Sequence, residues 1–144
     1  MANSDNVIRA GLTPKLRDIP NLVSGLTYTA SVPSVHTVKP RAFKPASNAT
    51  IASALYDPPI PEFSVVQVKL SEGKKEQHPP LGGPSIAIVT EGRGKVAWGD
   101  EGQTLDVGLG DVFFIGAANA VTFLTEGEEK LVIYRAYVEA ELDE

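Results

Sequence analysis

The stretch Ser64-Val65-Val66-Gln67-Val68-Lys69-Leu70 decides the fold class. Val66, Val68 and Leu70 alternate with Gln67 and Lys69, and a period of two places one set on a buried face and the other toward solvent, as in a half-buried strand. The same period recurs downstream. Ile86 and Ile88 alternate with small residues, Val96 and Trp98 with Lys95 and Ala97, and Leu105 and Val107 with Thr104 and Asp106. Turn signals separate these runs at Gly92-Arg93-Gly94, Gly99-Asp100-Glu101-Gly102, Gly108-Leu109-Gly110, Ala118-Asn119 and Glu126-Gly127-Glu128. Residues 112–115 and 131–138 are apolar on both faces, which predicts the most buried strands. About seven short antiparallel strands with hairpin-length turns specify a mainly β domain, a sandwich or jelly-roll barrel, over residues 62–138.

Upstream of this domain the chain changes character. Residues 28–61 have no sustained period and hold six prolines, Pro33, Pro40, Pro45, Pro58, Pro59 and Pro61. They read as a long Pro-rich connection, pinned to the body by Tyr28, Phe43, Leu55 and Tyr56. Before it, Asp18 is placed to cap a short helix over residues 19–27. Ile19, Leu22, Val23 and Leu26 share one face of that helix, and Pro20 falls in the first turn, where an amide hydrogen has no helical partner. The acidic tail, residues 139–144, is expected to fray.

Composition narrows the function. The 144 residues suit one domain with a core of its own, and the absence of cysteine excludes disulfides and thiolate metal sites. No apolar leader follows Met1 and no run is long enough to span a membrane, so a cytosolic protein without membrane partners is expected. The formal net charge of −5 is unevenly spread: residues 1–50 carry six cations against two carboxylates, and residues 51–144 carry seven against sixteen. A basic start on an acidic body would focus a small anion toward one end and argues against a nucleic-acid surface.

Among the chemistry-bearing residues, metal ligands are the first test for a β-barrel. A typical cupin site needs paired histidines, a carboxylate and a later histidine converging from neighbouring strands. The only histidines here are His36 and His78, both beside proline-rich turns, and both read as surface or loop residues; no metal ligand is assigned. No nucleophile elbow or acid/base pair is evident, with Glu76 and the other carboxylates falling near turns. What remains is the N-terminal run Ser4-Asp5-Asn6-Val7-Ile8-Arg9-Ala10-Gly11-Leu12-Thr13-Pro14-Lys15. Arg9, Lys15 and Arg17 are clustered there, and Gly11 and Pro14 restrict the backbone between the first two. Arginine suits a carboxylate or phosphate because its planar guanidinium offers paired donors and stays charged.

That run resembles the C-terminal signature of the type I mannose-6-phosphate isomerases, the zinc-dependent phosphomannose isomerases. Tyr56-Asp57-Pro58-Pro59-Ile60-Pro61-Glu62-Phe63 and Gly110-Asp111-Val112-Phe113-Phe114-Ile115-Gly116-Ala117 are also similar to that family, in its order. The resemblance implies an enzyme that interconverts mannose 6-phosphate and fructose 6-phosphate in the cytosol, supplying mannose and GDP-mannose metabolism. It implies Arg9 as a catalytic residue and Lys15 as a substrate-binding one, with Asp5 and Asn6 orienting or structural. It also implies a zinc cofactor, whose ligands in the family all precede the Ser-Asp-Asn run and have no counterpart here. The chain therefore looks like a C-terminal portion: residues 1–27 end the catalytic region, residues 28–61 connect, and residues 62–138 form a cupin-like antiparallel jelly roll. Such a chain is expected to be inactive alone. The alternative is a non-catalytic cupin-like module that binds a phosphosugar or a protein.

Overall fold

A computed structural model describes residues 8–9, 11, 14–43, 52–126 and 129–138. The chain divides into two compact units, residues 1–37 and 38–144. The first holds two short helices, α1 (Ile19–Gly25) and α2 (Pro33–His36). Asp18 caps α1 by accepting from the Asn21 amide at 3.2 Å and from the Asn21 side-chain amide at 2.6 Å. The helix stops two residues short of the expected Thr27. Gly25 has a low helical propensity, and Leu26 has already turned to an extended conformation while its amide tightens the last turn onto the Val23 carbonyl. No residue of α1 is buried, so its apolar stripe is open.

The second unit is antiparallel β throughout. Its strands are β1 (Arg41–Ala42), β2 (Ser53–Tyr56), β3 (Ser64–Leu70), β4 (Lys75–His78), β5 (Ser85–Glu91), β6 (Arg93–Trp98), β7 (Gln103–Gly108), β8 (Val112–Ile115), β9 (Val121–Thr125) and β10 (Leu131–Tyr137). They form a six-stranded sheet in the order β1-β2-β3-β10-β5-β8 and a four-stranded sheet in the order β4-β9-β6-β7. The frequent exchange of consecutive strands between two sheets gives the jelly-roll arrangement the turn spacing predicted. The sheets do not close into a barrel.

The core fills the space between the sheets. Val66, Val68, Ala87, Val89 and Ile133 come from the six-stranded sheet, and Val96, Val107, Val121 and Phe123 from the four-stranded one. Strand β10 lies between β3 and β5, which explains why Leu131 and Ile133 are wholly buried. Strand β8 departs from expectation. It is the edge of its sheet, and Val112 and Phe114 are exposed although the sequence is apolar on both sides. Only Phe113 and Ile115 turn inward.

Two strands also lie within the Pro-rich stretch. Arg41 and Ala42 pair with Leu55 and Ala54, β2 pairs with β3, and the Phe43 amide donates to the Ser53 carbonyl at 3.1 Å. Of the four expected pins, Phe43 and Leu55 enter the core, Tyr56 is half-buried and Tyr28 is exposed. The acidic tail lies outside the described residues.

Candidate functional site

The N-terminal segment and the jelly roll each carry polar groups of interest, in separate units. In the first unit Arg9 is half-buried, beside an exposed Ile8, and Lys15 is exposed in a bend after Pro14. Asp5 and Asn6 lie outside the described residues. His36, at the end of α2, is exposed and hydrogen-bonded to Ser31, in keeping with a surface histidine.

The second unit contains a buried polar cluster that the sequence did not reveal. His78 is no loop residue: it ends β4 with its ring completely buried between Phe43, at a centroid distance of 4.7 Å, and Phe123, at 5.0 Å. Glu76, two residues earlier on the same strand and so on the same face, is buried with it rather than lying at a turn. From the facing sheet come Ser53 of β2, Ser85 of β5 and Arg135 of β10, all buried.

The contacts fix the protonation pattern. Arg135 Nη1 lies 3.3 Å from His78 Nδ1, and a guanidinium can only donate, so Nδ1 is the acceptor and the proton sits on Nε2. Nε2 then donates to Ser53 Oγ at 2.9 Å. Arg135 Nε donates to Ser85 Oγ at 2.8 Å, and the Ala52 amide donates to Glu76 Oε2 at 2.7 Å. Glu76 Oε1 has no hydrogen-bond partner; His78 Nε2 stands 3.7 Å away.

Burial pushes the His78 pKa below its ordinary 6.5, against an opposing pull from Glu76, and the neighbouring Arg135 charge adds to the depression. Glu76 is held below 4.5: burial would raise it, but His78, Ser53 and the Ala52 amide together outweigh that. Burial also lowers Arg135 to about 10, which still leaves it charged at neutral pH. The cluster is therefore a carboxylate, a neutral imidazole and a guanidinium in a row, sealed from solvent.

Such a cluster does not suit zinc. Both ring nitrogens of His78 are engaged, one oxygen of Glu76 is taken by an amide, and a permanent cation sits within hydrogen-bonding distance of the ring. Among the described residues no group of three or more histidine, cysteine, aspartate or glutamate side chains is arranged to hold a metal ion. A cavity of ≈ 170 Å³ elsewhere in the jelly roll, lined by Val96, Trp98, Leu105, Phe113 and Ile115 with Asn119 at its polar side, has no cationic side chain in its wall. The sequence could have disclosed Arg135, a lone charge inside an apolar run. Glu76 and His78 share a period of two, but their strand is only four residues long and the prolines that follow mask it.

Comparison with known proteins places the chain. The family model for the phosphomannose isomerase type I C-terminal region matches residues 53–101. The chain is similar to the mannose-6-phosphate isomerase of Cryptococcus neoformans, 47% identical over 97% of this chain and 31% of that protein. It is 41% identical to the enzyme of the same name from Ogataea parapolymorpha, over 97% of this chain and 33% of that one. The structure resembles that of a phosphomannose isomerase mutant from Salmonella typhimurium with a TM-score of 0.70 and 26% identity, covering 96% of this chain and 32% of that chain. The chain thus spans about a third of the length of the curated relatives it matches. The 144 residues belong to the type I mannose-6-phosphate isomerase family, of which they represent the C-terminal portion.

Proposed function

We propose that this chain works as the C-terminal part of a mannose-6-phosphate isomerase, interconverting mannose 6-phosphate and fructose 6-phosphate in the cytosol and so feeding the activation of mannose for glycoconjugates. The observation that carries this is the 47% identity to an isomerase over 97% of the chain, which includes the Arg9 to Lys15 run. In this reading the chemistry is placed in that run; the Glu76–His78–Arg135 cluster of the jelly roll is buried and does not meet a sugar phosphate.

Aldose–ketose conversion moves a proton between C1 and C2 through an enediol-like intermediate, and negative charge builds on a sugar oxygen as the proton leaves. Arg9 is the group that holds this charge, as a preorganised guanidinium. Lys15 contacts the substrate, its ammonium suited to an anionic group. Zinc is the family's cofactor. No group among the described residues is arranged to hold it, and in the family its ligands precede the Ser4-Asp5-Asn6 run, so the 144-residue chain alone is expected neither to hold zinc nor to turn over substrate.

The test is an isomerase assay with zinc analysis on two proteins, the 144-residue chain and the longest polypeptide the gene encodes around it. The longer form is expected to convert the two sugar phosphates and to contain zinc, and the short one to do neither. Stoichiometric zinc in the short chain contradicts the assignment of ligands, and an inert longer form contradicts the isomerase reading.

A further inference from the structure

Strands β7 and β8 are consecutive, yet no ladder joins them, and each is the edge of its own sheet. The cavity of ≈ 170 Å³ is lined from both of these edges. Val96, Ile115 and Val121, at most 5% exposed, form its inner wall. Trp98 of β6 and Phe113 of β8, both half-buried, bring two rings to it from facing sheets, and Leu105 and Phe114 are exposed at its mouth. Neither Trp98 nor Phe113 pairs with another aromatic ring among the described residues, so their faces are available to a third. Well-packed interiors leave few voids larger than a water molecule, whereas an apolar cavity of about 150 Å³ takes a benzene-sized ring.

The wall also says what else the occupant must be. It contains no charged side chain, and an ionised ligand would leave water there without a counter-charge. Water itself is poorly served, because each molecule needs roughly two to four polar partners and only Asn119 and the Trp98 indole nitrogen carry polar side-chain atoms. Asn119 is held in one orientation. Its Nδ2 donates to the Ala117 carbonyl at 3.0 Å and the Gly116 carbonyl at 3.3 Å, which engages both amide hydrogens and leaves Oδ1 as the acceptor it can offer. Gly116 makes room for this, since a Cβ there would stand 3.2 Å from that nitrogen. The residue before Asn119 is strained. Ala118 is the only non-glycine residue with positive φ among those described, at 60°, and its amide is tied to the Leu81 carbonyl at 2.8 Å. The loop thus holds an unfavourable backbone while it presents one acceptor at the rim of an apolar space, a combination that marks binding sites more often than plain turns.

We propose that this cavity binds a small uncharged aromatic molecule with one hydrogen-bond donor, of the phenol or indole class. The ring lies between Trp98 and Phe113 and its donor meets Asn119 Oδ1. The same ring could arrive as a tyrosine or tryptophan side chain of a longer polypeptide, and the binding experiment separates that source from a free molecule. The site is independent of the isomerase reading.

Phenol is the probe, with toluene as the ligand without a donor and benzoate as the charged one. Trp98 is the one tryptophan of the 144 residues, so its fluorescence reports on the cavity directly. Phenol is expected to change that emission saturably with a Kd of about 1 mM or tighter, and benzoate is expected not to. Asn119→Ala is expected to weaken phenol about 5–10-fold and toluene less than about twofold, so a loss of the loop's shape, which would weaken both, is told apart from a lost acceptor. Val121→Phe fills the inner wall and Leu105→Phe the mouth, and each is expected to abolish phenol binding; Leu105 is 43% exposed, so its variant decides if Val121→Phe does not fold. In the longest polypeptide the gene encodes, saturation-transfer NMR is expected to show phenol bound and the signal lost with Leu105→Phe. The proposal is overturned by no saturable phenol binding up to about 10 mM, by equal binding of benzoate, by equal weakening of phenol and toluene with Asn119→Ala, or by binding that survives the filling variants. Phenol bound by the 144-residue chain and not by the longer form also overturns it, because the cavity would then be filled by a side chain of the polypeptide itself.

Discussion

At His78 the two sheets are joined by a chain of donors and acceptors that depends on one proton. Arg135 reaches from β10 to Nδ1, and Nε2 passes the bond on to Ser53 of β2, so a strand of the four-stranded sheet is held by two strands of the six-stranded one. Protonating the ring removes the acceptor and sets a second buried positive charge 3.3 Å from the guanidinium. The folded pKa lies below 6.5 while the unfolded chain binds its proton near that value. Between the two values the unfolded state binds more protons, so the stability owed to neutral His78 is complete above about pH 6.5 and falls as the pH drops toward the depressed folded value. Glu76 acts with the same sign in a lower window, its contribution being complete above 4.5 and lost below it. Urea midpoints measured at about pH 7.5 and about pH 5.5 are expected to fall in acid for the unmodified chain. His78→Gln, whose amide can accept from Arg135 and donate to Ser53, is expected to abolish most of that difference. An unchanged difference would show that His78 does not set it.

The strand that leaves one sheet for the other explains the least tolerant element. Strands β5 and β6 are consecutive but lie in different sheets, and only Gly92 separates them. It takes φ +74°, and a Cβ added there would sit 1.8 Å from the Lys130 carbonyl oxygen. The register between β5 and β10 slips at this place, between Val132 and Ile133, so the corner is made by a bulge and a glycine together. Gly92→Ala must change φ or displace β10, the central strand. It is expected to cost about 3 kcal/mol or more, read by urea denaturation, and a cost under about 1 kcal/mol would mean that the corner can relax.

At this scale the sequence was legible where alternation was clean. Val66, Val68 and Leu70 face the core as their period predicts. It misled where both faces are apolar: β8 has the composition of a central strand but is an edge, because hydrophobicity reports that a face is covered and not what covers it. Strands β1 and β2 escaped notice because they are two and four residues long, too short for a period, and their pairing is fixed by β3 rather than by local propensity. The buried polar cluster was hidden for a related reason. Its members come from four strands, and only the fold shows that Ser53, His78, Ser85 and Arg135 meet.

Over the whole chain, apolar surface is left open in both units. Leu16, Ile19, Val23 and Leu26 are exposed in the first, and the outer face of the six-stranded sheet in the second. The 144-residue chain is accordingly expected to associate as its concentration rises, with sedimentation velocity showing species larger than a monomer. A single monomeric boundary up to about 100 µM would contradict this, since apolar association normally becomes evident by affinities in that range. Family membership was legible at this scale because the Arg9 run and two later stretches resemble the family in its order, and the 47% identity to one of its members bears the membership out. The role proposed for Arg9 rests on that resemblance alone, for a half-buried arginine in a short N-terminal segment has many structural uses.

The most direct measurement is therefore turnover of mannose 6-phosphate by the longest encoded polypeptide with and without Arg9→Ala, with zinc content determined on both. Removing one preorganised charge-stabilising donor is expected to lower kcat by about 10²–10³ while zinc is retained. Turnover within about threefold of the unmodified protein, less than about 1 kcal/mol of transition-state stabilisation, would contradict the placement of the catalytic electrostatics on Arg9.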